Sequence, residues 1–526
     1  MSRAARAARP AARAETPAPR SGAWAEIAIV LGIAAGWMAI AAAIAAGYPT
    51  IHFDTLRDMA YAQNILRGRV WADPMLAGQT WWYPPGNPLL FAGLSRLTGR
   101  SIVDLYPSGI FWLNALNPVM LYLLVRVATR SRTAGVLALP MVGLGSCWWL
   151  THAAAALPGI QGVALNLGGL MLWHRAQRGG WSWLLATGLV IGLAFWHHPL
   201  CGAVLTLAIA MHGAICAAWP AAEEAAHRLA VLGRAAVTSV IGLALGAPIL
   251  AHLMTLPRLN PAPFAWFGPE LHDPRFALHA HAPLVVPIGL LGAWALWRAL
   301  PGARWLVAYL LVGLAGETAG YLGHDLRWPV PYTLPHEFQW HEQLALGIAA
   351  AFGTVWLARK ARGAARWVAL AGIALAALGP AVADLRSADF ELIHLDARWR
   401  SSLQSAAWIR THLPDDAIIA CHPDAAYTMA GLTGRKTVAL PEGHMNPAVD
   451  AQRRYADLGV MLTTPDPQQF QTVATTYGVT HLMALPQPGL AAAVRQTYAR
   501  WPILEPLDSG DSTVLVYRVR SGERGR

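Results

Sequence analysis

Residues 24–47 read WAEIAIVLGIAAGWMAIAAAIAAG, and residues 50–68, just beyond, read TIHFDTLRDMAYAQNILRG. The first stretch is long enough to cross a bilayer as one helix, for which about 20 apolar residues suffice. It is longer than the apolar region of a typical signal peptide, so it reads as a retained anchor. The second stretch is polar and amphipathic. Leu56, Met59, Ala60, Gln63 and Leu66 form a broken helical stripe, which predicts a helix over 54–67 lying along the membrane surface, with Gly68 as its stop. A membrane helix followed at once by a surface helix sets the fold class: a mostly α, polytopic membrane protein.

The rest of the chain repeats the apolar theme. Of 526 residues, 55% are hydrophobic and 13% charged, whereas soluble domains carry about 25% charge. That charge is too sparse to solvate three or four soluble domains, and the apolar excess excludes disordered and fibrous classes. The formal charge of +11 does not point to nucleic acid. Lys occurs only at Lys360 and Lys436, and the Arg residues collect in the N-terminal tail and in short loops between apolar runs, as topology requires. Cys147, Cys201 and Cys216 lie in apolar runs, leaving Cys421 alone in the polar C-terminal segment, so no disulfide is expected there.

About eleven spans are predicted, near 24–47, 105–125, 134–154, 158–174, 181–198, 199–219, 230–256, 283–299, 303–322, 342–358 and 366–384. Arg3, Arg6, Arg9, Arg13 and Arg20 keep the N-terminus cytoplasmic. Alternation then places Arg126/Arg130/Arg132, Arg175/Arg178, Arg228/Arg234, Arg298/Arg304 and Arg359/Lys360/Arg362/Arg366 on that same side. Residues 48–104, 257–282, 323–341 and everything after about 385 fall outside the cytoplasm. The expected organisation is a disordered tail over 1–23, a transmembrane catalytic domain over 24–384 whose first outer loop is 48–104, and an extracytoplasmic domain over 385–526. In that last segment a helix near 395–412 precedes short β-type runs at 417–420, 437–440, 479–483 and 514–517. Helices near 448–462, 467–477 and 489–500 separate most of them, which predicts a small α/β domain with a largely parallel sheet. It carries no G-x-G-x-x-G turn and no Walker A motif.

The chemistry concentrates in the first outer loop. Asp54 and Asp58 stand at i and i+4, hence on one helix face, with Arg57 beside them. A carboxylate at the mouth of a helical bundle is partly dehydrated, which raises its pKa towards the range useful for taking a proton. The competing reading makes Asp54 the helix N-cap and pairs Asp58 with Arg57 or Tyr61. The loop continues as Trp81-Trp82-Tyr83-Pro84-Pro85-Gly86-Asn87-Pro88.

An acidic residue just outside the first span, a helix ending in Leu-x-Gly, and Tyr-Pro-Pro before the next apolar helix resemble the GT-C glycosyltransferases. This superfamily includes the protein O-mannosyltransferases and the aminoarabinose transferases of lipid A. The resemblance covers the first 105 residues and is architectural beyond them. It implies a polyprenyl-phosphate sugar donor and a lipid, glycan or protein acceptor outside the cytoplasm, with Asp54 as the matching acidic residue. The family's second carboxylate normally follows immediately; here Thr55 does, and the second carboxylate is Asp58. The chemistry needs one carboxylate to deprotonate the acceptor and donors to hold the departing phosphate, and a direct displacement inverts the anomeric centre.

Arg57, Arg258, Arg275 and Arg327 are the phosphate candidates, since Arg forks onto phosphate oxygens. The loop before 342 concentrates His324, Asp325, Arg327, His336, Glu337, His341 and Glu342. Three readings of it stay open: hydrogen bonding to lipid phosphate or sugar, a divalent cation held by Asp54, Glu337 and His341, and an interfacial polar belt. His197-His198 at the end of the fifth span point about 100° apart, so one of them at most faces a cavity; His197 and Tyr83 join the substrate-binding candidates. The alternative function is a membrane transporter or lipid flippase, with Glu317 as its main intramembrane candidate. The expected location is the inner membrane, multi-pass, with the N-terminus cytoplasmic and the C-terminal domain periplasmic.

Overall fold

A computed structural model describes residues 21–45, 50–143, 157–220, 227–260, 284–325, 335–360, 392–394, 400–484, 496–508 and 514–520, with positions 363, 364, 366 and 371. The expected tail before 21, the span over 366–384 for the most part, Arg275, Arg327 and the side chains of His324, Asp325 and His336 lie outside what is described.

Helix α1 (Ser21–Ala45) leads into β1 (Thr50–His52), then α2 (Thr55–Leu66) and α3 (Gly86–Thr98). Helices α4 (Ile102–Trp112) and α5 (Leu116–Thr129) form one interrupted rod. Pro118 has no N–H to offer the carbonyl of Asn114 and its ring crowds that carbonyl, which accounts for the break. The bundle continues with α6 (Arg132–Gly143), α7 (Pro158–Ala176), α8 (Trp181–His197), α9 (Pro199–Ala218), α10 (Arg228–Thr255), α11 (Val285–Ala299), α12 (Trp305–Asp325) and α13 (Pro335–Lys360). The α8–α9 break falls where the sequence places it. His198 is extended, with φ −154° and ψ 109°, because the proline after it disfavours the helical region. Among the described residues, four helical stretches are long and apolar enough to cross a membrane: 22–43, 102–129, 199–218 and 228–255. The bundle packs through small residues. A side chain on Gly292 would overlap the Ala349 backbone, and one on Gly353 would meet the Ile288 carbonyl, so α11 and α13 cross at van der Waals range of their backbones.

Several helices run between the same two ends of the molecule. At one end Glu26 binds Arg126 at 2.7 Å and Arg132 at 2.9 Å, Arg234 donates to the carbonyls of Ala176 and Gly179, and Arg304 donates to that of Trp219. At the other end α1 enters β1, α8 ends against Gly86, and His252 of α10 reaches the Trp81 carbonyl at 2.7 Å. The arginines of several basic loops therefore gather at one end, opposite the first loop.

The C-terminal segment comprises β2 (Leu392–His394), α14 (Arg400–His412), β3 (Ile418–Ala420), α15 (Pro423–Thr433), β4 (Lys436–Thr437), α16 (Ala451–Thr463), α17 (Pro467–Tyr477), β5 (His481–Ala484), β6 (Leu504–Leu507) and β7 (Leu515–Val519). The main sheet has strand order β4-β3-β5-β7-β6. It is mixed rather than largely parallel: β3 pairs parallel with β4 and β5, whereas β7 pairs antiparallel with β5 and β6. The unforeseen β6 carries Pro506, which an edge strand tolerates because its outer side needs no N–H. A second, two-stranded ribbon pairs β1 with β2, Thr50 opposite His394, joining the chain just after the first span to the start of the C-terminal segment.

The C-terminal segment and the first loop share a continuous hydrophobic core, in which Leu56, Met59 and Met75 pack with Tyr427, Leu440 and Leu482. Polar bonds reinforce this seam. Asp73 accepts from Met75 N at 2.8 Å, Leu76 N at 2.7 Å and Asn446 Nδ2 at 2.8 Å. Arg67 donates to the carbonyls of Thr433 and Gly434, and Lys436 Nζ donates to the Asp73 carbonyl. Each satisfies a group that burial would otherwise penalise.

Candidate functional site

Helix α2 lays its two carboxylates on one face, and the tertiary structure gives them opposite surroundings. Asp54 precedes the first helical residue, yet its side chain makes no capping bond, so the capping reading fails. Its Oδ1 lies 3.5 Å from His444 Nδ1 and its Oδ2 lies 3.8 Å from His52 Nδ1. His52 Nδ1 is taken by the amide of Asp54 itself at 3.1 Å; it accepts there and has no proton for the carboxylate. The Asp54 side chain remains 41% exposed, open to an incoming hydroxyl.

Asp58, one turn on, is 0% exposed. Asn87 Nδ2 donates to its Oδ2 at 2.8 Å, and Arg57 Nε stands 3.9 Å from its Oδ1, beyond hydrogen-bond range. Burial pushes the carboxyl up to about 6, outweighing the pull of Arg57 and Asn87, as expected where desolvation exceeds the attraction of one neighbour. Arg57 sits over Tyr83, its Cζ 3.4 Å from the ring centroid, with the Trp82 centroid at 5.5 Å. Burial works against its charge, but Tyr83, Tyr427, Asp58 and Asp54 around it prevail and hold its pKa above the usual value. Burial also pushes up the phenols of Tyr83 and Tyr427, so both remain hydrogen-bond donors.

The Tyr83-Pro84-Pro85-Gly86-Asn87 stretch explains how Asn87 arrives. A Cβ on Gly86 would sit 2.5 Å from the Trp196 carbonyl and 2.8 Å from His197 N. Only glycine lets α3 start against the end of α8, and that contact delivers Asn87 to Asp58. The same approach brings His198 within electrostatic reach of Asp58. His198 Nε2 faces Glu337 Oε1 at 3.5 Å, so the pairing of the two adjacent histidines falls to His198 rather than His197. Cys201 Sγ lies 3.8 Å from His198 Nδ1 and 3.7 Å from His341 Nε2. His341 is fully buried, its Nδ1 2.6 Å from the Tyr309 hydroxyl.

Of the other candidates, Arg258 is exposed where the chain after α10 docks on the C-terminal segment, beside Asn260, whose Nδ2 donates to the Glu442 carbonyl at 3.1 Å. Trp81 stacks on His252 at 4.0 Å. Glu317 is buried near Glu342 within the bundle. Asp54, Glu337 and His341 face His444, His198 and Tyr309 respectively, and no group of three or more His, Cys, Asp or Glu able to hold a metal occurs among the described residues. A cleft of about 670 Å³ opens along the seam, lined by Gln79, Thr437, Asp450, Arg453 and Tyr477; neither carboxylate of α2 lines it.

Sequence reasoning missed His52, His444, Tyr427 and the role of Asn87. Asn87 had a local signal in Pro-Pro-Gly-Asn-Pro; His444 had none, because only the docking of the C-terminal segment brings it to Asp54.

No protein-family model and no curated protein matches the chain. Among solved structures it is similar to the archaeal oligosaccharyltransferase AglB of Archaeoglobus fulgidus, in complex with an inhibitory peptide and a dolichol-phosphate. That match has 12% identity and a TM-score of 0.57, and covers 96% of this chain and 75% of that one. It is similar to ArnT of Cupriavidus metallidurans bound to undecaprenyl phosphate, at 13% identity and a TM-score of 0.52, covering 97% of this chain and 100% of that one. It also matches the mycobacterial arabinofuranosyltransferase AftD at 15% identity and a TM-score of 0.53, over 94% of this chain and 42% of that one. This chain thus shares its overall fold with all three of these solved proteins over nearly its whole length.

Proposed function

We propose that the protein is an integral membrane glycosyltransferase that moves a sugar from a polyprenyl-phosphate donor to an acceptor outside the cytoplasm, with inversion and with Asp54 as general base. The observation that carries this reading is the contrast on α2: an accessible carboxylate at Asp54 beside a buried cation at Arg57. Asp54 takes the proton of the acceptor hydroxyl as its oxygen attacks the anomeric carbon. The bond to the phosphate breaks, and the lipid phosphate leaves with the electron pair. Arg57, whose Nε has no hydrogen-bond acceptor among the described residues, stabilises that charge in a site where water is largely excluded. Asp58 holds Arg57 in register and is itself oriented by Asn87. Arg258, Arg327, His336 and His341 remain candidates for the phosphate and sugar.

The fold supports the donor class, since AglB and ArnT were captured with dolichol-phosphate and undecaprenyl phosphate. The placement is multi-pass in the inner membrane with about eleven spans and a cytoplasmic N-terminus. The first loop and the α/β domain over 385–526 then face the outside, a sidedness that the β1–β2 ribbon favours by tying them together. The acceptor is a lipid, glycan or protein. The test is transfer from a panel of radiolabelled polyprenyl-phosphate sugars in proteoliposomes. Asp54→Asn is expected to lose at least about 100-fold in kcat with an unchanged melting profile; full activity in that variant would overturn the assignment.

A further inference from the structure

We infer that His444, from the C-terminal segment, is a positioning residue for the Asp54 carboxylate, so that the site is incomplete without that segment; this rests on the transferase reading above. Two imidazoles flank Asp54, and they are not equivalent. Because His52 Nδ1 accepts the Asp54 amide, the imidazole left to serve the carboxylate is that of His444, whose buried Nδ1 lies 3.5 Å from Oδ1, close to it but not yet in hydrogen-bond geometry with it. Catalytic contacts of that length in an unliganded site tighten when substrate binds.

The ring is held from several directions. It is 9% exposed at its side chain, and it packs edge-on to Phe53 at 5.0 Å and tilted against Tyr427 at 4.7 Å, while those two rings lie 4.6 Å apart. Phe53 belongs to the first loop, next to Asp54, whereas Tyr427 lies on α15, which packs along α2. Gly431 of α15 shows how tight that packing is, since a Cβ there would meet Leu56 at 2.7 Å. His444 itself ends a single 3-10 turn, Glu442–His444, closed by its amide on the Pro441 carbonyl at 2.9 Å. That turn is pinned from the helical bundle by Asn260, whose Nδ2 binds the Glu442 carbonyl at 3.1 Å and whose amide binds the Pro447 carbonyl at 3.0 Å.

Two separate parts of the chain therefore pack on one imidazole, a third pins the turn that carries it, and a carboxylate oxygen is what it faces. Holding Oδ1 fixes the carboxylate plane and leaves Oδ2 for the acceptor hydroxyl. The proton taken from that hydroxyl stays on Asp54, and His444 only donates a hydrogen bond. Groups in this supporting position are worth about 10–100-fold in activity.

The experiment compares His444→Phe, which keeps a packed ring without an N–H, with His444→Asn, which restores a donor close to the Nδ1 position. Both are made in the full chain in proteoliposomes, alone and combined with Asp54→Asn, and assayed for kcat and KM with the radiolabelled donors. His444→Phe is expected to lower kcat about 10–100-fold with donor KM unchanged, His444→Asn to recover to within a few-fold of wild type, and His444→Phe to cost nothing further in the Asp54→Asn background. Wild-type kcat in His444→Phe, or equal loss in Phe and Asn variants of unchanged melting temperature, would overturn the proposal. Should His444→Phe fail to fold, the decision passes to His444→Asn against His444→Ala: recovery in Asn alone supports it, and equal kcat in both overturns it. If Asp54→Asn is dead while His444→Phe is fully active, the inference alone falls; if Asp54→Asn is fully active, the underlying reading falls with it.

Discussion

Asp54 and Asp58 carry the same local signal, one turn apart on one face of α2, yet the first is 41% exposed at its side chain and the second fully buried. Under the proposed function that difference divides their roles, because a base must be reached by its substrate and a buried acid orients its neighbours. It also fixes a sign. With burial lifting the Asp58 carboxyl to about 6, the native state holds this proton more tightly than the unfolded chain, where an Asp titrates near 3.9. The resulting stability is fully present below about pH 4 and is lost as pH rises through about 6, a change of up to about 3 kcal/mol. Asp58→Asn cannot titrate, so the melting temperature of the wild type relative to Asp58→Asn should fall between pH 4 and 7 and level off above. A gap that widens in favour of the wild type with rising pH would show that the attraction of Arg57, not burial, governs Asp58.

Helix starts and stops were legible because their causes are local. Pro199 ends α8 at His198, Gly68 with its φ of 78° follows α2, and Asp466 caps α17 through its side chain. What a loop helix is placed against was not legible. Gly86 illustrates this: its sequence context reads as the start of the next apolar helix, and only the structure shows that it serves the approach of α3 to the α8 terminus. Gly86→Ala should push α3 away from Trp196 and carry Asn87 off Asp58, lowering kcat about 10- to 100-fold, the order expected when a positioning group moves by an ångström. Gly93→Ala on the same helix, where an added Cβ meets nothing within 4 Å, should leave transfer unchanged and add up to about 1 kcal/mol of stability. Equal effects of the two substitutions on kcat would refute the wedge argument.

At the scale of the molecule, the first loop and the C-terminal segment share a core, and the arginines of several basic loops gather at the opposite end. If charge sets orientation as expected, a cysteine at exposed Asp424 in a chain cleared of its native cysteines should react with an impermeant maleimide on intact cells. A cysteine at Arg178 should react only after permeabilisation; the reverse pattern would invert the topology. Apolar run length and loop charge were enough to reveal a mostly helical chain with long apolar helices, four of them long enough to cross a membrane among the described residues, since both are properties of consecutive residues. That Asp54, Arg57 and Asp58 sit together at the start of one helix was legible for the same reason. The mixed sheet, the β1–β2 ribbon, the choice of His198 over His197, and the arrival of Asn87 and His444 at the carboxylates were decided only by tertiary structure. Each depends on surfaces from distant parts of the chain burying one another, and neither periodicity nor composition encodes which surfaces those will be.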